Sequence, residues 1–190
     1  ELASIYRQSL RANEMDLYVA GEPLSFEEYP ILEAPFARNP KGDIVRWKKE
    51  IDFKFGKYRA QGFIAILREI NNTQNGLVLL RRGRVIVGAE TDGRYFPKSL
   101  FGTQGNFRFK RLFGELELEG FEVSFNKNDI QDKENLEALM EALKGEIHTK
   151  DFDLYAQADE YRLDETRKVV KKLVKKHDTS AKNNRTPIDI

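Results

Sequence analysis

Residues 106–131 read NFRFKRLFGELELEGFEVSFNKNDIQ and decide the fold class of this chain. Apolar residues alternate on both sides of Gly120, at positions 116 and 118 before it and at positions 121, 123 and 125 after it. The alternation changes parity at the glycine, so an unbroken strand would place the two apolar sets on opposite faces. Burying both sets requires a bulge or a tight turn, which glycine tolerates. The pattern predicts a bent strand, or two strands joined at Gly120, followed by a polar turn.

Further strands precede this stretch, and a helix follows it. Alternation at Ile51, Phe53 and Phe55 is typical of a half-buried strand, and the apolar run 62–67 is typical of a central strand. Residues 77–80 and 85–87 flank a turn rich in arginine and predict a hairpin with a basic tip. A helix is expected from an N-cap at Asp132 to a stop at Gly145, with an apolar stripe at Leu136, Leu139, Met140 and Leu143. Together these elements predict an α+β fold, a mixed four- to five-stranded sheet with helices on one face.

Composition changes along the chain divide it into five segments. We expect an entry helix and hairpin in residues 1–27, a mobile surface loop in 28–43, the α+β domain in 44–150, a charged helix in 151–178 and a disordered tail in 179–190. In the entry helix the residues expected to form the buried face are Leu2, Ile5, Tyr6 and Leu10. The chain starts at Glu1, without a methionine and inside a helical pattern, so we expect a piece of a longer protein.

The overall composition excludes several classes of function. The 190 residues are 33% charged but carry a net charge of only +1, which gives no general affinity for nucleic acids or membranes. There is no cysteine, which excludes disulfides and thiol catalysis and favours a reducing, cytoplasmic location. No apolar run approaches the roughly 20 residues that span a bilayer, so no membrane partner is expected.

Two stretches of sequence resemble a known family. RLFGELEL at 111–118, followed by GFEVS at 120–124 and by Asn126-Lys127, is similar to bacterial MORC-like ATP-binding proteins, and so is GLVLLRRGR at 76–84. These proteins belong to the ATPase superfamily of gyrase, MutL and the histidine kinases. The resemblance covers about residues 2–143 and lies in the region after the ATP-binding domain. It implies a transducer domain with the fold of ribosomal protein S-five domain two.

The resemblance also implies a role for one lysine. In that superfamily a transducer lysine reaches into the neighbouring ATP-binding domain and contacts the terminal phosphate, and Lys127, beside Asn126, matches its position. The superfamily's own nucleotide motifs are not found, since Glu69-Ile70-Asn71-Asn72 and Asp92-Gly93-Arg94 are only weak imitations of them. The resemblance therefore implies no cofactor in this fragment, ATP and magnesium in the parent protein, and an upstream ATP-binding domain as partner, with a homodimer and DNA as further partners.

Other interpretations stay open from sequence. Lys127 could be an ordinary solvated turn lysine. A stand-alone nucleic-acid-binding module could use the basic helix at 167–176 with a set of basic residues, namely Arg81, Arg82, Arg84, Arg108, Lys110 and Arg111. A hydrolase could use Glu115, Glu117 and Glu119, but we expect a solvated strand face there and no metal site, because no histidine lies nearby.

Overall fold

The computed structural model describes residues 2–89, 93–122 and 130–161. The elements in chain order are α1 (Leu2–Ile5), α2 (Arg7–Arg11), β1 (Tyr18–Val19), β2 (Glu22–Pro23), β3 (Glu33–Ala34), β4 (Val45–Arg46), β5 (Lys48–Phe55), β6 (Tyr58–Ile66), β7 (Gly76–Arg81), β8 (Arg84–Val87), α3 (Lys98–Phe101), α4 (Phe107–Arg111), β9 (Leu112–Glu119) and α5 (Lys133–Ile147). Residues 154–161 are also helical.

The main sheet has five strands in the order β5-β6-β9-β7-β8. Strands β7 and β9 are parallel, and every other neighbouring pair is antiparallel. Strand β9 is the central strand of the sheet. Its residues from Leu112 to Leu116 are all buried, because β9 lies between two neighbouring strands and both of its faces are covered. The α+β class and the mixed sheet predicted from sequence are confirmed.

One face of the sheet carries the main hydrophobic core, under α3 and α5. The predicted stripe of α5 is buried, and Ile147 extends it by one further turn beyond Leu143. Because of this extra contact the helix continues through Gly145, and the stop predicted at that glycine is wrong. Asp132 is the N-cap residue as predicted, but its carboxylate makes no capping hydrogen bond to the helix backbone.

The parity change at Gly120 is confirmed. Strand β9 ends at Glu119, and Gly120 has a φ of +87°. A side chain at that position would bring a Cβ within 2.5 Å of the Lys57 carbonyl oxygen. After this turn Phe121 is buried in the same core as Leu118. Positions 123 and 125, the rest of the second apolar set, lie outside the described residues.

Residues 28–43 do not all lie across the surface as the loop that their prolines and glycines predict. Ile31, Leu32 and Ala34 are buried, and β3 pairs with β4. The indole Nε1 of Trp47 donates a hydrogen bond of 2.9 Å to the Ala34 carbonyl oxygen. The proline-rich composition was misleading because three apolar residues between the prolines pack on the sheet.

The described start of the charged C-terminal segment packs on the same core. Gln157 is fully buried, its Oε1 accepts a hydrogen bond of 2.7 Å from the Ala37 backbone N–H, and its Nε2 donates one of 3.2 Å to the Pro35 carbonyl oxygen. Trp47 stacks on Phe152 with ring centroids 5.0 Å apart. These contacts fix residues 152–157 against the chain that enters the sheet.

The N-terminal segment covers the opposite face of the sheet. Ile5 packs against Val78, Leu80 and Val85, so the short helices α1 and α2 lie on the face that α3 and α5 leave open. The buried residues of α1 and α2 are Ser4 and Arg7. Of the four residues predicted to share one helical face, Ile5 packs on the sheet, Tyr6 and Leu10 are half-buried, and Leu2 is 44% exposed. The predicted hairpin within 16–24 is confirmed as β1 and β2.

Candidate functional site: the glutamate row of strand β9

Strand β9 presents Glu115, Glu117 and Glu119 toward the face that α1 and α2 cover. The expectation of a solvated row is wrong for Glu115, which is 7% exposed. Each of the three carboxylates has a different environment, because successive positions along the strand meet different parts of the second face. The carboxylates of Glu115 and Glu117 therefore have different partners.

Glu115 joins the centre of the sheet to the entry helix. Its Oε1 lies 3.5 Å from Nη1 of Arg7 and accepts a hydrogen bond of 3.2 Å from Nη1 of Arg11. Its Oε2 accepts a second hydrogen bond from Nη2 of Arg11, which makes that pair bidentate. Such paired bonds are the stronger form of ion pair, because both oxygens are held in one geometry. Helix α2 is thus attached to β9 through one carboxylate.

Arg7 has 0% exposure, so its positive charge needs a partner inside the protein. Its Nε donates a hydrogen bond of 2.8 Å to the Ser4 carbonyl oxygen, and its guanidinium lies 4.5 Å from the ring centroid of Phe26. Burial lowers the pKa of Arg7, and the Glu115 carboxylate opposes that shift. A buried cation is tolerated only with a counter-charge, so Arg7 depends on Glu115.

Glu117 binds the turn of the β7–β8 hairpin. Its Oε1 accepts a hydrogen bond from the backbone N–H of Arg82, and its Oε2 accepts one of 3.0 Å from the N–H of Gly83. The φ angles of Arg82 and Gly83 are +51° and +73°, so both N–H groups of the turn point toward the strand. Glu119, the last of the row, is exposed.

The carboxylates of Glu115 and Glu117 make separate contacts. Within the described ranges, no group of three or more histidine, aspartate or glutamate side chains could hold a metal ion. Glu115 borders a cavity of about 350 Å³ whose lining mixes both signs of charge, including Arg11, Lys48, Glu28 and Glu50. Carboxylates outnumber cations in this lining, but Glu115, Glu28 and Glu50 are already paired with Arg11 or Lys48. What the row provides is attachment of two separate elements to one strand.

The basic residues predicted to bind nucleic acid fall into two groups. Arg81, Arg82 and Arg84 come together at the hairpin tip, beside the end of β9, where Leu80 pairs with Glu117. Arg108, Lys110 and Arg111 belong to α4, directly before the start of β9 at Leu112. Five steps along the strand lead from Leu112 to Glu117, which is about 17 Å at ~3.4 Å per step. The structure does not bring the two groups together.

Several of these cations have partners within the chain. Nη1 of Arg81 donates a hydrogen bond of 2.5 Å to the Phe121 carbonyl oxygen. Arg108 pairs with Asp159 at 3.0 Å and lies over the ring of Tyr155. Arg111 is buried, with its guanidinium 5.1 Å from the ring centroid of Tyr161. Arg111 is therefore a buried cation and is not presented to solvent.

Asn126 and Lys127 lie outside the described residues, but the chain on both sides of them is described. Before them, Phe121 is buried and stacks on Tyr58 with centroids 4.3 Å apart. After them, Asp132 accepts a hydrogen bond of 2.6 Å from the Tyr58 hydroxyl. This bond lowers the pKa of Asp132 and raises that of Tyr58. The Tyr58 side chain of β6 thus contacts the chain both before and after residues 123–129, the lysine segment.

A backbone contact joins the same two flanks. The Gln131 N–H donates a hydrogen bond of 3.0 Å to the Glu122 carbonyl oxygen. Ile130 is buried in the core that also contains Phe121. The residues on either side of the lysine segment are therefore fixed to β9, β6 and the start of α5.

Comparison of the chain with protein-family models, with curated proteins and with solved structures gave no match. Among the helices of the described residues, none combines the length and the apolar character needed to cross a bilayer. The residue that sequence reasoning missed is Arg7. A signal for it was present: Glu115 interrupts the apolar start of β9, and a charge in a central strand needs a partner from elsewhere in the chain.

Proposed function

We propose that this chain is the coupling module of an ATP-dependent, DNA-associated cytoplasmic protein. In this proposal Lys127, assisted by Asn126, contacts the terminal phosphate of a nucleotide that an upstream ATP-binding domain holds with magnesium. The family resemblance suggests the role of the lysine. The support from the described residues is that one strand, β9, is attached to both the entry helix and the β7–β8 hairpin.

The observation that carries the proposal is the order of contacts along β9. Glu115 binds the entry helix through Arg7 and Arg11, and Glu117 binds the hairpin turn. Two residues past the end of the strand, Phe121 is held by Tyr58, and Lys127 follows six positions later in the sequence. A displacement at the lysine segment would act on a strand that is attached to α2, to the hairpin and, through Tyr58 and Asp132, to α5.

The energies are adequate for a two-state response. A hydrogen bond to a charged group contributes about 1.5–3 kcal/mol net, and each 1.4 kcal/mol changes a population ratio about tenfold. A phosphate contact made only in the ATP state would therefore shift the module between two arrangements by roughly ten- to a hundredfold. Hydrolysis would remove the contact and return the module to its first arrangement.

The test is ATP turnover and ATP-dependent dimerisation of this chain joined to an upstream ATP-binding domain. Lys127→Ala should reduce both, because the terminal phosphate loses a positive partner. Lys150→Ala is the matched control, since it removes the same charge from an exposed position. If Lys127→Ala left turnover and dimerisation as high as the control does, the phosphate-contacting role would be lost.

A further inference from the structure

We propose that strand β5 is a self-association surface, on which two copies of this chain pair edge to edge and antiparallel. The proposal does not depend on the coupling function. It starts from the two edges of the sheet. Helices contact both edge strands, α1 and α2 at β8 and α5 at β5, and these helices lie on the faces of the sheet. At the β5 edge, the backbone has hydrogen-bond partners only in β6 among the described residues.

Strand β5 has the form of an edge that can accept another strand. Its eight residues pair with β6 in an unbroken register from Lys48–Ala65 to Phe55–Tyr58, without a bulge. It contains no proline, which is one of the devices that protect natural edges from pairing. Phe55, at its end, is a 40% exposed aromatic residue. A partner strand would complete the free hydrogen bonds and cover this ring.

The side chains select the partner and the register. Lys48, Glu50, Asp52 and Lys54 share the outer face of β5, opposite to the buried Ile51. When a second β5 runs antiparallel with Asp52 on the two-fold axis, Glu50 of each copy lies opposite Lys54 of the other. Opposite charges in directly facing positions stabilise strand pairs. Because both contacts are generated by one symmetry axis, the surface fits a second copy of itself.

The remaining positions agree with this register. Each Asp52 carboxylate already accepts two hydrogen bonds of 2.8 Å from Arg59 of its own chain, so the two aspartates on the axis are compensated. On the inner face Ile51 of one copy lies opposite Phe53 of the other. A shift by two residues in one direction would place Glu50 opposite Asp52 and Lys48 opposite Lys54, which like charges disfavour. A shift in the other direction would place Asp52 opposite Lys54, but Asp52 is already bound by Arg59 while Glu50 is exposed.

The available side chains are free to make these contacts. The Glu50 side chain is 74% exposed, and its contact in the described part of the chain is a surface pair with Lys48 at 3.1 Å. Lys54 is exposed. Pairing of two such strands alone buries a small area, and interfaces below about 1,200 Å² belong to weak, transient complexes. We therefore expect a dimer that dissociates on dilution and on addition of salt.

Sedimentation velocity over a range of concentrations at low salt tests the proposal. The wild-type chain should show a concentration-dependent dimer. Glu50→Lys and Lys54→Glu each convert two attractive pairs into two repulsive ones, and each should weaken association by about tenfold or more. An equimolar mixture of the two variants should recover association, because Glu50→Lys in one chain faces Lys54→Glu in the other. The double variant Glu50→Lys/Lys54→Glu should also dimerise.

The mixture distinguishes loss of pairing from misfolding, because two unfolded variants would not form a dimer. Circular dichroism of each variant checks folding directly. A wild-type chain that stays monomeric at every concentration would overturn the proposal. So would single variants that dimerise as well as wild type, which would place the contact on another surface, or a mixture that remains monomeric.

Discussion

Helices are attached to the two faces of the sheet through different kinds of contact. On the first face, α3 and α5 pack apolar side chains on the sheet. On the second face Ile5 makes apolar contacts with Val78, Leu80 and Val85, but α2 is also attached through a buried ion pair between Arg7 and Glu115. The ring of Phe26 covers the guanidinium of Arg7. Apolar packing depends on volume, so it accepts other apolar residues of similar size. A buried charge depends on one specific partner, so it accepts very few changes.

The largest effect is therefore expected at Glu115. Glu115→Gln preserves the shape of the side chain but removes the counter-charge of the buried Arg7, and breaking one partner of a buried pair costs about 3–5 kcal/mol. Urea unfolding monitored by circular dichroism measures this loss. Glu119→Gln makes the same change at an exposed position of the same strand. Equal, small losses in the two variants would show that the second face does not depend on this pair.

The first face should respond to volume rather than to chemical identity. Leu139 is fully buried in α5, and Leu139→Ala should cost about 2–5 kcal/mol because it leaves a cavity. Leu139→Met keeps the volume and should cost less than about 1.5 kcal/mol. The same urea titrations provide both values. A large loss with methionine would make the two faces equally intolerant and would remove the contrast.

Gln157 tests a polar contact within the first face. Gln157→Ala leaves the Ala37 N–H and the Pro35 carbonyl without their partner, and a buried polar group left unsatisfied costs about 1–3 kcal/mol. Limited proteolysis should then cleave within residues 35–43 faster than in wild type. Unchanged stability together with unchanged cleavage would mean that this segment is held by Trp47 and its neighbours alone.

The smallest effect is expected from pH at Asp132. Its pKa in the folded state lies below the ordinary value of 3.8, mainly because it accepts the Tyr58 hydrogen bond. The stabilisation is therefore complete above that ordinary value and is lost as the pH falls through the folded pKa. Tyr58→Phe should reduce this acid-dependent part of the stability. Identical pH profiles for the two proteins between pH 2 and 6 would rule out the Tyr58 bond as its cause.

The first face could largely be predicted from the sequence. Alternation located β5, an apolar run located β6, two apolar runs around a turn located the β7–β8 hairpin, and the helical stripe located α5. The parity change at Gly120 predicted the break after β9. These features follow from local periodicity, which depends on which face is buried and needs no knowledge of distant residues.

The second face could not be predicted in the same way. Arg7 and Glu115 are 108 positions apart, and nothing in a local pattern pairs them. Residues 28–43 contribute to both faces, since Ile31 packs on the second face while Leu32 and Ala34 belong to the main core, and the prolines between them hide this from a local pattern. The lysine segment, residues 123–129, lies between Glu122 and Ile130. The role proposed for Lys127 is therefore supported by the family resemblance and by the contacts of these two neighbouring positions.

Amide hydrogen exchange of β9 is the measurement that decides whether this strand transmits nucleotide state. It requires the chain joined to an ATP-binding domain, with and without a non-hydrolysable ATP analogue. We predict that residues 112–119 become more protected when the analogue binds and that Lys127→Ala abolishes the change. Protection that does not respond to the analogue, or that responds equally in Lys127→Ala, would contradict the coupling role.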